Sequence, residues 1–331
     1  MKSALSPNHQ PNSQPTPPQG MKFGQNVTLV WNQLGMILIL ILLCIVMSFV
    51  APNFLDGSNL TNILKQVSVT AILAAGMTIV ILTGGIDLSV GSIVALSGVV
   101  SVMASQAGVH PVLAMLAGVG AGYLVGFING VFTAKAGLPA FIVTLASMTY
   151  VRGLAYVSSG GYPVVLESNT FRFIGSGSIL GIPTPIYLMA LVYLVMFYVL
   201  KYTMFGRHIY AIGGNAEAAR LTGIKVKKTL VNVYSISGLL AGLGGVVLAG
   251  RLYSGQPTAG NMYELDAIAA VILGGSKLTG GVGKIQGTII GVLIMGVITN
   301  GLTLMDVSYY SQLVVKGGVI LAAVLIDRVR S

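Results

Sequence analysis

Charge is what this chain has least of. Only 8% of its 331 residues are Asp, Glu, Lys or Arg, against roughly 25% in a soluble domain. So small a supply cannot solvate the surface of a protein this size, which excludes a water-soluble globule for most of the chain and leaves lipid as its solvent. Acidic residues are scarcer still, eight in all, and His9, His110 and His208 all fall outside the apolar runs. A proton relay through a membrane needs buried carboxylates or imidazoles, and this set forms no such chain. A Na⁺ site built of backbone carbonyls remains open. The single cysteine, Cys44, excludes an internal disulfide and a thiolate cluster. Inside a Leu/Ile run it reads as a small buried hydrophobe.

Catalytic patterns are missing too. No nucleophile–base pair, metal-ligand spacing or dinucleotide fingerprint emerges, so no enzyme, metal site or resident cofactor is expected. GGSKLTGGVGK (274–284) has the look of a phosphate loop but fails as one. Gly283-Lys284 is followed by Ile285, where the Mg²⁺-binding hydroxyl of a P-loop belongs. ATP and Mg²⁺, if the protein uses them, bind another chain. Net charge is +10, yet Lys and Arg are scattered through short connecting segments without a basic stripe, so nucleic acid is not an expected partner. No charged n-region abuts the first apolar run, and no small-residue cleavage site follows it, which argues against a cleaved signal peptide.

What the chain does have is apolar length: 54% hydrophobic residues and 44 glycines. Gly is common in membrane helices because it lets backbones approach closely. A span needs about 20 apolar residues. The runs at 31–51, 62–83, 88–106, 111–134, 140–158, 184–203, 228–250, 264–275, 284–304 and 308–326 predict an all-α, polytopic transmembrane helical bundle of about ten spans. The run near 264–275 is too short to cross straight, so short or re-entrant backbone is expected there. Residues 1–27 are polar and rich in Pro, Gln, Asn and Ser, predicting a disordered cytoplasmic tail. Residues 28–331 form one transmembrane domain, with long segments outside the membrane at 159–183 and 204–227. Between the second and third runs, Gly84-Gly85 predicts a tight turn, with Asp87 capping the helix that follows.

With ten spans and the N-terminus inside, 13 of the 18 Lys and Arg residues fall on the cytoplasmic side. Only Arg152, Arg172 and Arg251 fall outside, and Lys65 and Lys316 lie within spans. The positive-inside rule then places both termini in the cytoplasm. GGIDLSVGSIVAL (84–96) has a faint echo in YELDAIAAVILGG (263–275). Each puts an Asp one helix before a Gly- and Asn-bearing span, FINGVFTAKAG (127–137) and VITNGLTLMDV (297–307). A weak repeat of two halves fits a transporter, whose path commonly runs between repeats; a chance match of small-residue helices is the competing account.

The inward segment GRHIYAIGGNAEAARLTGIKVKK (206–228) carries a recognisable helix. Asn215 is a good N-cap, AEAARL (216–221) a strong helix former, and Gly223 a C-terminal stop. Glu217 in the first turn and Arg220 in the last suit the dipole. A short polar helix between two spans is either a connector or a docking helix that passes a partner's motion to the spans. Within the spans, Thr78, Thr83, Asn129, Thr133, Thr144, Ser147, Thr299 and Asn300 offer uncharged hydrogen-bonding groups suited to a polyol. Singly, each also reads as glue between helices.

Four stretches together resemble a known family. GMTIVILTGGIDLSVGS (76–92), GLPAFIVTLASMTYVRGL (137–154), GGNAEAARLTGI (213–224) and QPTAGNMYELDAIAAVILGGSKLTGGVGKIQGT (256–288) look like the membrane permease of bacterial ribose-type, monosaccharide ABC importers. The likeness runs from about residue 52 to the C-terminus, and over 256–327 it is greatest to the ribose branch. It implies a permease in the inner membrane that moves a sugar, ribose being the expected one. It implies a homodimer with its path near the dimer axis, a cytoplasmic ATP-binding subunit and a periplasmic sugar-binding protein. Gly214, Asn215, Glu217, Ala218, Arg220, Leu221 and Gly223 match the family's coupling region. Thr83, Asn129, Thr144, Ser147 and Asn300 become candidates for the sugar path, and Arg251, Glu264 and Asp266 for contact with the binding protein. Two other readings fit the residues alone: an ion-coupled carrier or facilitator for a small polar solute, and a membrane scaffold or receptor without a pore.

Overall fold

Each of the ten apolar runs forms a helix. The computed structural model describes the backbone of residues 21–330 and the side chains of residues 35–325. The first five helices are α1 (Met21–Val50), α2 (Gly57–Leu82), α3 (Val90–Gln106), α4 (Pro111–Ala134) and α5 (Ala140–Ser159). A two-residue strand β1 (Val164–Val165), a short helix α6 (Asn169–Ser176) and strands β2 (Ser178–Ile179) and β3 (Ile182–Pro183) lead into α7 (Thr184–Tyr202). Then come α8 (Met204–Gly214), α9 (Ala216–Leu221), α10 (Val226–Leu252), β4 (Ser254–Gly255), α11 (Tyr263–Leu273), α12 (Ile285–Leu304) and α13 (Tyr309–Arg330). Of the expected polar tail only residues 21–27 are described, in α1; the rest lies outside the described residues.

Local chemistry sets many ends. Pro111 opens α4 at its first turn, where its missing N–H is no loss. Gly160, at φ 65°, closes α5 in the left-handed conformation. Gly84, at φ 78°, makes the expected sharp break after α2. The two long segments outside the apolar runs carry structure of their own. In 159–183, α6, β1 and the β2–β3 hairpin pack down onto the bundle because Phe171 and Leu166 are apolar and fully buried. The segment 204–227 holds two helices, α8 as well as the predicted α9.

Six helices, α2, α4, α5, α7, α10 and α12, are long and apolar enough to cross a membrane by length and composition. The apolar parts of α1 (Gly35–Val50) and α13 (Tyr309–Leu325) are shorter, as is α3. The 11-residue α11 reaches about 16 Å, half of a ~30 Å hydrocarbon core. In α2 and α10, 78% and 83% of the apolar stretch is buried, against 28% in α4 and α5. A helix apolar all round belongs in the core, so α2 and α10 form the centre. Around α2 pack α7, α10, α11 and α12; around α10 pack α2, α3, α4 and α6. The outer helices turn Leu, Ile, Val and Phe outward, for example Leu116, Leu124, Ile142, Leu191 and Leu194, the surface lipid requires. Cys44 is half-buried, packed at the edge of the main core.

Glycine brings the closest pair of helices together. On α4, Gly122, Gly126 and Gly130 recur every four residues and face the backbone of α10 at Gly242, Gly238 and Val231. A Cβ on Gly130 would stand 2.8 Å from the Val231 Cα, and one on Gly122 2.8 Å from the Gly242 Cα, so only glycine fits that approach.

Contacts between turns sort the ends of the helices onto two faces. On one face, the Leu82–Gly85 turn, the end of α8 and the 277–283 turn touch one another. On the other, β1 pairs with β4, Leu166 N–H donates to Tyr253 O at 2.9 Å, and Gln106 Nε2 donates to Val165 O at 2.8 Å.

Candidate functional site

The site with the clearest local construction is the α8–α9 hairpin. Thr203 caps α8 by accepting the Gly206 N–H at 3.2 Å. Asn215 caps α9 as predicted, its Oδ1 accepting the Ala218 N–H at 2.9 Å. Gly223, at φ 87°, ends α9 in a full Schellman motif. Its N–H donates to Arg220 O, and the Ile224 N–H reaches back to Ala219 O, both at 3.1 Å. Arg220 donates to Glu217 from both Nε (3.0 Å) and a terminal nitrogen (2.5 Å). That bond holds the Glu217 carboxyl below its ordinary range and raises Arg220. Both side chains are about two-thirds exposed, so the pair adds little to stability; it shapes a charged surface. Beside it Leu221 is 75% exposed while Ala219 is buried. The tip of the hairpin therefore presents one apolar side chain and a fixed ion pair to water.

The base of the hairpin is bolted to the bundle. Gly213 lies against the Leu82 carbonyl and the Gly281 nitrogen, leaving no room for a Cβ. Gly281 N–H donates to that same Leu82 carbonyl at 2.9 Å, and a Cβ on Gly280 would lie 2.8 Å from Gly84 N and 3.1 Å from Gly213 Cα. Tyr210 donates its hydroxyl to Gly283 O at 3.0 Å. GGSKLTGGVGK thus forms a closed turn between α11 and α12, with Lys277 N–H donating to Val282 O at 2.9 Å. A helix, not a strand, precedes it, consistent with its failure as a P-loop.

Directly above this junction lies the α2–α3 corner. Asp87 is fully buried. Its Oδ1 accepts from Ser89 N at 3.0 Å and Ser89 Oγ at 2.6 Å, and its Oδ2 accepts from Ser237 Oγ of α10 at 2.9 Å. Asp87 is therefore not the cap of α3, as the sequence suggests: Ser89 is the N-cap residue and Asp87 holds it. Asn129 of α4 donates to Ser89 Oγ at 2.9 Å, and Thr144 of α5 donates to Ala140 O at 2.9 Å and Ile86 O at 3.2 Å.

The candidate path residues do not form one lining. Thr83 bonds back to Val80 O at 2.7 Å. Asn129 and Thr144 meet at the corner just described. Ser147 sits one turn along α5, buried, with the Tyr150 hydroxyl at 3.4 Å. Asn300 lies far away, exchanging amide bonds with Asn59 at 2.9 and 3.0 Å and so tying α12 to α2. In the single chain each of these groups finds its partner on its own helix or a neighbouring element, as helix glue does. A cavity of about 310 Å³ between α7 and α12 is lined by Met189, Tyr193, Phe197, Ile285, Gln286 and Ile289 among others, and by none of the candidates.

On the opposite face, Arg251 is partly exposed. Glu264 and Asp266, expected at a docking surface, are 9% and 8% exposed. Asp266 pairs with Lys316 of α13 at 2.9 Å. Arg152 clamps the loop before α11, donating to Pro257 O at 2.8 Å and Ala259 O at 2.6 Å. Sequence reasoning missed Ser237, Tyr210 and the Asp266–Lys316 pair. Only the last left a signal: a lysine inside a span must find an acid there, and Asp266 was at hand. Nothing marks Ser237 among the small residues of α10.

A bundle of long apolar helices with outward-facing Leu, Ile and Phe, carrying a capped helical hairpin on one face, has the architecture of a multi-pass membrane protein. The chain belongs to the permease family described as branched-chain amino acid transport system / permease component, whose model matches residues 59–324. It is 51% identical over 304 residues to a ribose import permease protein of Bacillus subtilis (strain 168), covering 91% of this chain and 94% of that protein. To a ribose import permease protein of Escherichia coli (strain K12) it is 49% identical over 306 residues, 91% and 95% of the two chains. An L-arabinose ABC transporter permease protein of Azospirillum brasilense is 40% identical over 304 residues, 91% and 90%. No solved structure matches the chain.

Proposed function

We propose that this chain is the membrane permease subunit of an ATP-driven importer and that its solute is a monosaccharide, ribose. One observation carries the reading: about half of all positions are identical to ribose import permeases across nine-tenths of the chain, while the arabinose-type relative is further away. ATP and Mg²⁺ belong to a cytoplasmic partner. The α8–α9 hairpin is its docking point, with Gly214, Asn215, Glu217, Ala218, Arg220, Leu221 and Gly223 forming the coupling region. The double cap, which makes α9 a rigid unit, and the exposed Leu221 support that role.

The face holding the hairpin is then cytoplasmic, in the inner membrane, and the crossings number about ten. Sorting of the turns onto two faces supports that count, with α11 and its flanking loops making the short passage. Two related halves fit the same plan: Asp87 precedes α3–α4 and Asp266 opens α11–α12, and α4 and α12 each bury an Asn, Asn129 and Asn300. A periplasmic sugar-binding protein delivers the solute to the opposite face, around Arg251, with Glu264 and Asp266 beneath. A second copy supplies the other wall of the path, near Thr83, Asn129, Thr144, Ser147 and Asn300. The path lowers a barrier and performs no chemistry; its switch needs contacts that differ between two states.

Reconstitution tests this. Proteoliposomes holding the permease and its purified ATPase, with sugar-binding protein outside, are expected to accumulate labelled ribose only when ATP is supplied. Uptake that persists without ATP would favour a carrier or facilitator and sink the reading; no uptake with every partner present would favour a scaffold.

A further inference from the structure

We propose that Asp87 is the positioning residue that converts movement of the coupling hairpin into movement of the helix bundle, a role that rests on the permease reading above. The hairpin touches the bundle through turns. Its base meets Leu82 on one side and residues 280–283 on the other, and Gly280 in turn lies against Gly84. Contact between turns passes a push but not a pull. Something must tie the corner to helices. Asp87 sits three residues beyond Gly84, buried completely, and joins two helices on one carboxylate, with a third reached through Ser89. Ser89 gives it the start of α3, through both backbone and hydroxyl donors. Ser237 gives it the middle of α10, the most buried helix. Asn129 joins α4 to the same Ser89 hydroxyl. The α3, α4 and α10 group therefore moves with the corner.

A spacer would not need a charge. Burying a carboxylate is costly unless it is paired or richly hydrogen-bonded, and no ion pair is recorded for Asp87 among the described residues. Its three donors are what make the burial tolerable, and they are also what join the helices. Role and cost have the same origin, which an apolar residue at the position could not reproduce.

The test is the ratio of ribose taken up to ATP hydrolysed in proteoliposomes containing the complete complex. Ser237→Ala removes only the tie to α10 and leaves both Ser89 bonds. It is expected to insert normally, to keep ATP hydrolysis, and to lower the ratio about tenfold, the equivalent of one lost hydrogen bond to a charged group. Asp87→Ala, where it folds, should lower it further. Asp87→Asn should recover most of the ratio, because its amide oxygen still accepts from Ser89 and the Ser237 hydroxyl can turn to accept from the amide. An unchanged ratio in Ser237→Ala overturns the proposal. So does an Asp87→Asn protein as uncoupled as Ser237→Ala, since charge and not positioning would then be required. Wild-type complex without ATP-dependent uptake overturns the permease reading itself, a result separable from any effect of the variants.

Discussion

Replacing Lys316 by Met isolates the best-defined charge contact inside the bundle. The Lys316 ammonium lies 2.9 Å from Asp266 Oδ2, and the two side chains are 19% and 12% exposed. Met262, Leu265, Leu313 and Ile320 surround the pair beside a cavity of about 50 Å³. Met matches the length of the lysine stem but leaves the carboxylate without a counter-charge. Removing one member of a buried pair costs about 3–5 kcal/mol; the remaining exposure lets water screen part of this, so about 2–3 kcal/mol is expected. At about 2 °C per kcal/mol for a large chain, thermal unfolding in detergent should fall by about 5 °C. The 11-residue α11 is where the loss should appear first, as faster hydrogen exchange, because the pair ties it to α13. Adding Asp266→Asn removes the stranded charge and should bring the double variant to within about 1 kcal/mol of the wild type. A Lys316→Met protein with unchanged melting, or a double variant no better than the single, would refute the idea that the pair is coupled and buried.

Asn300→Ala leaves the buried Asn59 amide without its reciprocal partner and should cost about 2 kcal/mol; the double variant with Asn59→Ala should cost far less than the sum, read from a double-mutant cycle of melting temperatures. Gly213→Ala drives a methyl group into the Leu82 carbonyl and must displace the hairpin, so ribose uptake should fall at least about fivefold, whereas Gly120→Ala on α4, with open space around it, should transport normally. Reversing the charges of Glu217 and Arg220 should uncouple ATP hydrolysis from uptake while the protein still inserts; normal uptake by the double reversal would refute the docking role. Because Arg220 lowers the Glu217 pKa, the ion pair is present above the ordinary carboxylate range and is lost as pH falls through the depressed value. ATPase co-purification should accordingly be flat around neutrality and weaken only in acid.

Much was legible in the residues because it is local. Helix ends at Pro111, Gly84, Gly160 and Gly223 follow from the conformations those residues allow, and the Asn215 cap from the three residues after it. Hydropathy, a sum over neighbours, placed the ten apolar helices within about five residues of their observed ends, except the start of α1, which lies ten residues earlier. The failure of 274–284 as a phosphate loop was likewise readable from one missing hydroxyl. By contrast, α6 escaped notice because it is short, eight residues, and only Phe171 and Gly175 are buried in it. The second inward helix, α8, escaped notice because three of its 11 residues, Gly206, Gly213 and Gly214, are glycines, which weaken helix propensity.

The sequence by itself determined the solvent, the helical class, the positions of the helices and the permease family, all of which depend on composition, short-range order or long runs of matching residues. Only the tertiary structure decided what the polar residues inside the membrane do. Asp87 looked like a helix cap and is a tie between α3 and α10; the path candidate Asn300 exchanges amide bonds with Asn59 of α2; the docking candidate Asp266 pairs with Lys316, 50 residues on. A buried polar group takes whichever partner the fold brings within 3 Å, and that partner is set by packing across the whole chain. No local pattern can name it in advance.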